Sequence, residues 1–306
     1  MKSIEISVPS SVSNLGRGLG QLGLALEAFR ISIVVQESDK YEIDFGELDK
    51  VSYKDIKEII DGVYNELRKG YGLKGSYKVI LKEVFPQHYG LGLYEAITLA
   101  TCYGLALIEE IELTDYEILM ISSKYLRDAQ FWDHLASSYY GGFVFINKYV
   151  EPPSLIRIEP PDWLEILLLT PRLRVSNWWR KVYDKVRDRK IVIDEMVKEA
   201  SGLTTLIHGL MDGNVDAFIH GLRNDLLESV VYENYPYVKE IVRFLLSKGM
   251  LGYMVSRLGP SIVFFFDEHQ VDINTIADEL RSFIIKRNYP YNMYKTTWAT
   301  GLSSTY

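Results

Sequence analysis

The sequence predicts an α+β fold in two halves, each with helices on one face of an antiparallel sheet. Three observations support this prediction. Segments of alternating apolar residues recur along the 306 residues, as in half-buried strands. Segments with apolar residues three and four apart lie between them, as in amphipathic helices. Four prolines in "YVEPPSLIRIEPPDW" mark a crossing between residues 1–153 and residues 154–306.

In the first half, an apolar helix is the most distinctive element. Residues 92–109 are apolar nearly all round, which predicts a buried helix. The next helix should begin at Thr114, with Glu117 completing a capping box. "SSVSNLGRGLGQLG" is rich in Gly and Ser and is predicted to be a loop. The other predicted elements are a helix at "KDIKEIIDGVYNELRKGYG" and strands at "SIEISVP", "RISIVVQES", "KYEIDFG", "GSYKVILKEVF" and "GGFVFIN".

The second half repeats this organisation. "LEILLLTP" is a short apolar run typical of a central strand. "GMLGYMVSRLGPSIVFFFDE" reads as strand, glycine turn and strand, and "YNMYKTTWATG" as a last strand. Gly213 and Asn214 predict a helix end and a new helix start, and Asp272 or Asn274 begins a later helix. The remaining helical patterns lie at 177–187, 192–211, 214–229 and 235–247.

Composition excludes several classes of protein. The net charge of −7 predicts no general affinity for nucleic acid. The single cysteine, Cys102, excludes an intramolecular disulfide and a cysteine-based zinc cluster, and it should be buried. No signal core and no apolar run of ~18 residues is seen, which predicts a cytoplasmic protein without a membrane partner. No metal-ligand spacing is present. A homodimer is expected for such a fold.

"FPQHYGLGLYEAITLA" contains the main functional candidate. Gly90 and Gly92 lie between a strand and a helix, where backbone N–H groups and the helix dipole favour an anion. Leu93 is bulky where a phosphate needs room, and Glu95 is negative. The segment is therefore either an anion loop or a plain turn whose Glu95 stabilises the helix dipole. His88 is placed for acid–base work, against a structural histidine as the alternative.

Three stretches together resemble the GHMP superfamily of small-molecule kinases. They are "VPSSVSNLGRGLGQLGLALE", "FPQHYGLGLYEAITLA" and "SRLGPSIVFFF". The first looks like the N-terminal loop of homoserine kinases. The second, together with "DWLEILLLTP", is most similar to the archaeal branch of beta-ribofuranosylaminobenzene 5'-phosphate synthases.

The resemblance implies a ribosomal-protein-S5-like N-terminal domain, a ferredoxin-like C-terminal domain and a ligand site between them. Gly90, Leu91 and Gly92 would wrap the phosphates of a nucleotide or of phosphoribosyl pyrophosphate, with Mg²⁺ as cofactor. The hydroxyl residues that follow this loop in the family are replaced here by Leu93, Tyr94 and Glu95.

Other motif positions supply further candidates. Gly259 and Ser261 are retained in the third motif, and Arg257 could hold a phosphate or lie at the surface. Asn14 and Arg17 could reach a substrate or serve turn chemistry. The remaining candidate is the Asp133 carboxylate, for catalysis or as a helix-end carboxylate; Asp133 and His134 should splay about 100° apart on a helix and form no dyad.

Three functions remain open from the sequence. The first is a transferase like the synthase branch, which joins a phosphoribosyl group to an aromatic acid in the biosynthesis of a methanopterin-type cofactor. The second is an ATP-dependent small-molecule kinase of the homoserine-kinase type. The third is a non-catalytic paralogue with a degenerate site. The three share one fold, so the fold alone does not decide among them.

Overall fold

The computed structural model describes most of the chain. The described residues are 2–13, 20–46, 53–87, 89–126, 132–147, 149–172, 184, 193–223, 228–256 and 261–306. Five of the candidate site residues lie outside them, as does the predicted helix 177–187 apart from Asp184: Asn14, Arg17, His88, Arg257 and Gly259.

The elements follow the predicted alternation of helices and strands. The helices are α1 Tyr53–Gly70, α2 Leu93–Ile108, α3 Asp115–Lys124, α4 Trp132–Tyr140, α5 Ile193–Met211, α6 Val215–Leu222, α7 Glu228–Asn234, α8 Pro236–Leu246 and α9 Ile273–Lys286. The strands are β1 Ser3–Ser13, β2 Leu22–Glu37, β3 Glu42–Asp44, β4 Tyr77–Glu83, β5 Phe143–Asn147, β6 Ser154–Ile158, β7 Leu164–Pro171, β8 Gly252–Val255, β9 Ile262–Asp267, β10 Tyr291–Thr296 and β11 Ser303–Thr305.

The first sheet has the strand order β11-β1-β2-β4-β3, with β5 also paired to β2 and β6 to β5. Strands β1 and β2 are both longer than predicted. Residues 10–13, assigned to a loop from their serines, pair with β2 and are fully buried. The predicted strand 30–38 is the second part of β2, which runs on past a register shift opposite Pro9 and Ser10. Small hydroxyl side chains fit a tight buried ladder as well as a loop, so composition misled here.

The second sheet is antiparallel, with the order β10-β7-β9-β8. The predicted central position of "LEILLLTP" is confirmed, because β7 pairs with both β9 and β10. Helices α5–α8 lie between β7 and β8 in the chain, and α9 lies between β9 and β10. This is the strand–helix–strand–strand–helix–strand order of ferredoxin-like domains.

Two segments of the second half, β6 and β11, belong to the first sheet. β6 pairs with β5, so sheet membership changes after Ile158, and the division at residue 153 stays a prediction. After β10 the chain returns to the first sheet: Ala299 N–H donates to Ala25 O at 3.0 Å and Leu302 N–H to Tyr139 O at 3.1 Å. β11 then pairs with β1. The C-terminal residues therefore belong structurally to the first half.

Helix α2 is buried as predicted and packs directly on the first sheet. A Cβ on Gly104 would lie 2.8 Å from Val35 Cγ2, so the helix approaches β2 closely. Cys102 is fully buried, and burial raises the pKa of its thiol to about 12. Within the described residues, no helix is long and apolar enough to cross a membrane.

Local capping signals are confirmed at three helix starts. Thr114 and Glu117 form the full capping box of α3. Asn214 caps α6 by accepting from Ala217 N–H at 3.0 Å. Asp272 caps α9 by accepting from Asn274 N–H at 3.0 Å. Each side chain satisfies an N–H group that the helix leaves without an internal acceptor.

The returning C-terminal segment should depend on Gly301. A Cβ there would lie 2.0 Å from the carbonyl oxygen of Tyr139, a backbone atom that cannot rotate away. We expect Gly301→Ala to lower the free energy of unfolding by about 1–3 kcal/mol, as overpacking does. Urea unfolding followed by circular dichroism measures this loss.

Gly70→Ala is the matched control, because a Cβ at Gly70 meets nothing within 4 Å. It should unfold at or slightly above the wild-type urea midpoint, since alanine favours helix over glycine. Equal midpoints for Gly301→Ala and the wild type would show that the close approach is not needed for stability.

Candidate functional site

The glycine loop, residues 89–92, joins the segment after β4 to α2. Gly90 has φ 74° and Gly92 has φ 73°, a left-handed conformation that glycine adopts without strain. Leu91, between them, is buried. Gly92 is the N-cap of α2 and has no side chain to accept from the first helical turn. The Gly-Leu-Gly pattern thus lets the backbone turn sharply into a helix while anchoring one apolar side chain.

The carbonyl groups of the glycine loop are all held by protein donors. Ser261 Oγ donates to Tyr89 O at 2.5 Å, and Ser256 Oγ donates to Gly90 O at 2.5 Å. Both serines belong to the second half of the chain. From the first half, Ser11 N–H donates to Leu91 O at 3.0 Å. The loop is therefore fixed from both sheets.

Held carbonyls also fix the direction of the N–H groups. In a trans peptide the N–H points opposite to the C=O. The N–H groups of Gly90, Leu91 and Gly92 therefore each point away from the donor that holds the preceding carbonyl group. No described residue accepts a hydrogen bond from them. Successive N–H groups at a helix N-terminus form a concavity that suits an anion.

Beneath the loop, β1 and α4 are joined by a buried polar contact. Ser11 Oγ lies 3.0 Å from His134 Nδ1, and Ser138 Oγ donates to Ser11 Oγ at 2.9 Å. All three side chains are fully buried. A Cβ on Gly92 would lie 2.7 Å from Ser11 Oγ and 3.0 Å from His134 Nδ1. Gly92 thus rests directly on this contact.

Asp133 forms a second contact between the same two elements. Ser13 Oγ donates to Asp133 Oδ2 at 2.5 Å, and the other carboxylate oxygen accepts from His134 N–H at 3.1 Å. The carboxylate contacts the backbone of its neighbour and not the imidazole ring, in agreement with the predicted splay. Ser11 and Ser13 lie on one face of β1, about 7 Å apart. Asp133 is fully buried, and its neighbour His134 lies against Gly92 of the loop.

The three residues after the loop are accommodated in different ways. Leu93 is buried in the core. Tyr94 directs its hydroxyl towards the first turn of α1, where it lies 3.3 Å from Asp55 Oδ2, and it accepts from Gln87 at 2.9 Å. Glu95 is 4% exposed in the first turn of α2, where a negative charge stabilises the helix dipole. The phenol of Tyr94 is thus tethered to α1.

The structure brings together four of the candidate residues at the glycine loop, Gly90, Leu91, Gly92 and Ser261, and it places Asp133 on α4 in contact with Ser13 of β1. The sequence reasoning missed Ser11, Ser13 and Ser256, which hold the loop or Asp133. The available signal was the period-2 spacing of Ser11 and Ser13, which places both on one face of a strand.

Gly92 should be sensitive to any side chain for two reasons, strain and contact. We expect Gly92→Ala to cost about 1–2 kcal/mol for the left-handed backbone. We expect a further 1–3 kcal/mol or so for the clash with Ser11 and His134. Gly72→Ala separates the two, because Gly72 has φ +82° and a Cβ there meets nothing within 4 Å. Equal losses in urea unfolding for the two variants would contradict the contact.

Comparison with known proteins adds to this geometry. Residues 206–286 match the family model "GHMP kinases C terminal". The homoserine kinase of Thermoplasma volcanium is 26% identical over 272 residues, which covers 87% of this chain and 86% of that protein. The homoserine kinase structure from Cytophaga hutchinsonii superposes with a TM-score of 0.82 at 19% identity, covering 100% of this chain and 98% of the other.

A more distant structure was obtained with ligands. It is MDDEF in complex with MVAPP, AMPPCP and magnesium, with a TM-score of 0.67, 13% identity and coverage of 99% of this chain and 98% of that one.

The expectation that the synthase branch is closest is not supported, because these sequence relatives are homoserine kinases. That expectation gave the short segment "FPQHYGLG" more weight than the similarity of the rest of the chain. The chain therefore has the GHMP kinase fold, and its residues 206–286 match the GHMP kinase C-terminal domain.

Proposed function

We propose that the chain is an ATP-dependent small-molecule kinase of the homoserine-kinase type. The observation that carries the proposal is the glycine loop at the start of α2, whose three carbonyls are held by protein donors while no described residue accepts from the N–H groups of Gly90, Leu91 and Gly92. Such an arrangement suits the phosphates of a nucleotide. Relatives at 26% identity that carry the name homoserine kinase support the choice of acceptor class, an amino acid with a hydroxyl group.

Asp133 is the proposed catalytic base. In the transfer, the acceptor's hydroxyl oxygen forms a bond to the γ-phosphorus while the bond between that phosphorus and ADP breaks. The hydroxyl proton has to leave, and a buried carboxylate near the loop is suited to accept it. Ser13 holds Asp133 Oδ2 at 2.5 Å in the structure, and the acceptor hydroxyl would replace or share that contact. Burial also keeps water away from the phosphoryl group.

Mg²⁺ fits the donor set near the loop as a partner of the nucleotide. Among the described residues, no group of three or more His, Cys, Asp or Glu could hold a metal ion by itself. Mg²⁺ in nucleotide sites commonly uses one or two carboxylates together with phosphate oxygens and waters. Glu95, in the first turn of α2, is the carboxylate that would serve. When bound, the ion neutralises phosphate charge.

A second candidate function is a non-catalytic paralogue. The specific observation that favours it is Glu95, a carboxylate 4% exposed in the first turn of α2, where the resemblance to the family implies a hydroxyl residue. A buried negative charge beside the loop opposes a polyphosphate unless a cation accompanies it. The two candidates therefore differ in whether MgATP binds at all.

Binding of MgATP is the first test. Ligand at a hundred times its dissociation constant should stabilise the protein by ~2.7 kcal/mol, seen as a higher melting temperature. ADP release in the presence of homoserine should then exceed release without it. Adenosine is the control, because it lacks the phosphates. A melting temperature unmoved by millimolar MgATP would reject the kinase and leave the paralogue.

The role of Asp133 makes a separate prediction. We expect Asp133→Asn to lower kcat by about 10²–10⁴-fold, the usual contribution of a general base. MgATP affinity should stay near that of the wild type, because the variant keeps the size of the side chain. Ser13→Ala is the companion variant, and its loss of kcat should be smaller. A kcat of Asp133→Asn close to the wild-type value would assign the base to another residue.

A further inference from the structure

We infer that His134, acting through Ser11, is a positioning residue that sets the glycine loop for its anion and fixes the distance between the loop and Asp133. The role rests on the proposed function, because the anion to be positioned is the phosphate chain of ATP. His134 does not act by contact with the ligand in this scheme. Its side chain and that of Ser11 are fully buried, so their influence reaches a ligand through the backbone of the loop.

Ser11 joins the loop to α4 with its backbone and its side chain at once. Its N–H donates to Leu91 O at 3.0 Å, which sets the orientation of the peptide between Leu91 and Gly92. Its hydroxyl accepts from Ser138 at 2.9 Å and lies 3.0 Å from His134 Nδ1. With Ser138 as donor to Ser11, the Ser11 hydroxyl donates to His134, whose imidazole Nδ1 at 3.0 Å is nearer than its backbone oxygen at 3.3 Å. A movement of the imidazole would therefore move the residue that holds Leu91.

His134 also limits the position of the loop directly. The missing Cβ of Gly92 would lie 3.0 Å from His134 Nδ1 and 2.7 Å from Ser11 Oγ. The Cβ position of Gly92 thus lies against both atoms of this hydrogen bond. The height of the α2 N-terminus above β1 is set by two polar atoms, whose separation is more narrowly defined than an apolar contact.

The same pair of elements holds the proposed base. Along β1, Ser11 and Ser13 face α4, and they meet His134 and Asp133 respectively. The two contacts are neighbouring hydrogen bonds between β1 and α4. The contact of Ser11 with His134 supports the loop, and the contact of Ser13 with Asp133 supports the carboxylate. The distance from the bound phosphate to the base is therefore fixed by two rigid elements. Transfer between bound reactants depends steeply on such distances.

Two substitutions separate positioning from packing. His134→Leu removes the acceptor and keeps an apolar side chain, whereas His134→Asn offers a shorter side chain with an acceptor oxygen. We expect MgATP affinity to fall about tenfold or more in the leucine variant, with a further loss in kcat. The asparagine variant should recover most of the affinity, to within about threefold of the wild type. Isothermal titration calorimetry and steady-state kinetics measure both.

Thr114→Ala is the stability control. Loss of the α3 capping box should lower the melting temperature without touching the loop. Its MgATP affinity should equal that of the wild type. If the leucine variant fails to fold, Ser11→Ala takes its place, because it removes the hydroxyl and keeps the N–H that holds Leu91. The same fall in affinity is expected.

A measurement without ligand distinguishes failure of this role from failure of the kinase proposal. In protein labelled with [¹⁵N]glycine, the amide resonances of Gly90 and Gly92 should shift in His134→Leu and stay near wild type in His134→Asn. Unmoved resonances in the leucine variant would overturn the positioning role, whatever the wild type binds. Shifted resonances together with unchanged MgATP affinity would overturn it as well. A wild type that binds no MgATP would reject the proposed function and, with it, the role in positioning a phosphate.

Discussion

Three consecutive carbonyl groups, those of residues 89–91, are held by donors from both halves of the chain, and the rest of the site depends on this constraint. Two of the donors are Ser256 and Ser261 from the second sheet, and the third is Ser11 from the first. A loop held from one sheet alone would follow the motion of that sheet. A loop that is hydrogen-bonded to both sheets changes position when the sheets move relative to each other. Any ligand bound to its N–H groups is therefore sensitive to how the two halves meet.

Local signals in the sequence were sufficient for much of the fold. Helix starts at Thr114 and at Asp272 or Asn274 were predicted from one or two side chains, and Asp272 is the N-cap of the later helix, because capping involves atoms within three residues of each other. The buried helix α2 and the central strand β7 were predicted from apolar runs, because burial on all sides leaves little room for polar residues. The location of the glycine loop followed from two glycines at a strand-to-helix junction. The resemblance that includes Gly-Leu-Gly also led to the GHMP kinase fold, which is confirmed.

The contacts that form the site could not be predicted from local signals in the sequence. Ser11 and His134 are 123 residues apart in the chain, and Ser13 and Asp133 are 120 apart. No local pattern pairs a serine with a particular histidine at that distance. The serines were also assigned to a loop, since small hydroxyl residues favour turns when nothing packs on them. Tertiary burial overrode that preference. Similarly, the direction taken by Tyr94 depends on Asp55 of another helix.

The return of residues 297–305 to the first sheet has a consequence for how the protein is made. On a ribosome, strands β1 and β2 emerge long before the segment that completes their sheet. Until β11 arrives, the outer edge of β1 offers unpaired N–H and C=O groups, which in other proteins invite pairing with foreign strands. Domains usually fold in order of synthesis. Here the sheet of the first half is completed only when residues 303–305, at the end of the return path after β10, have been synthesised.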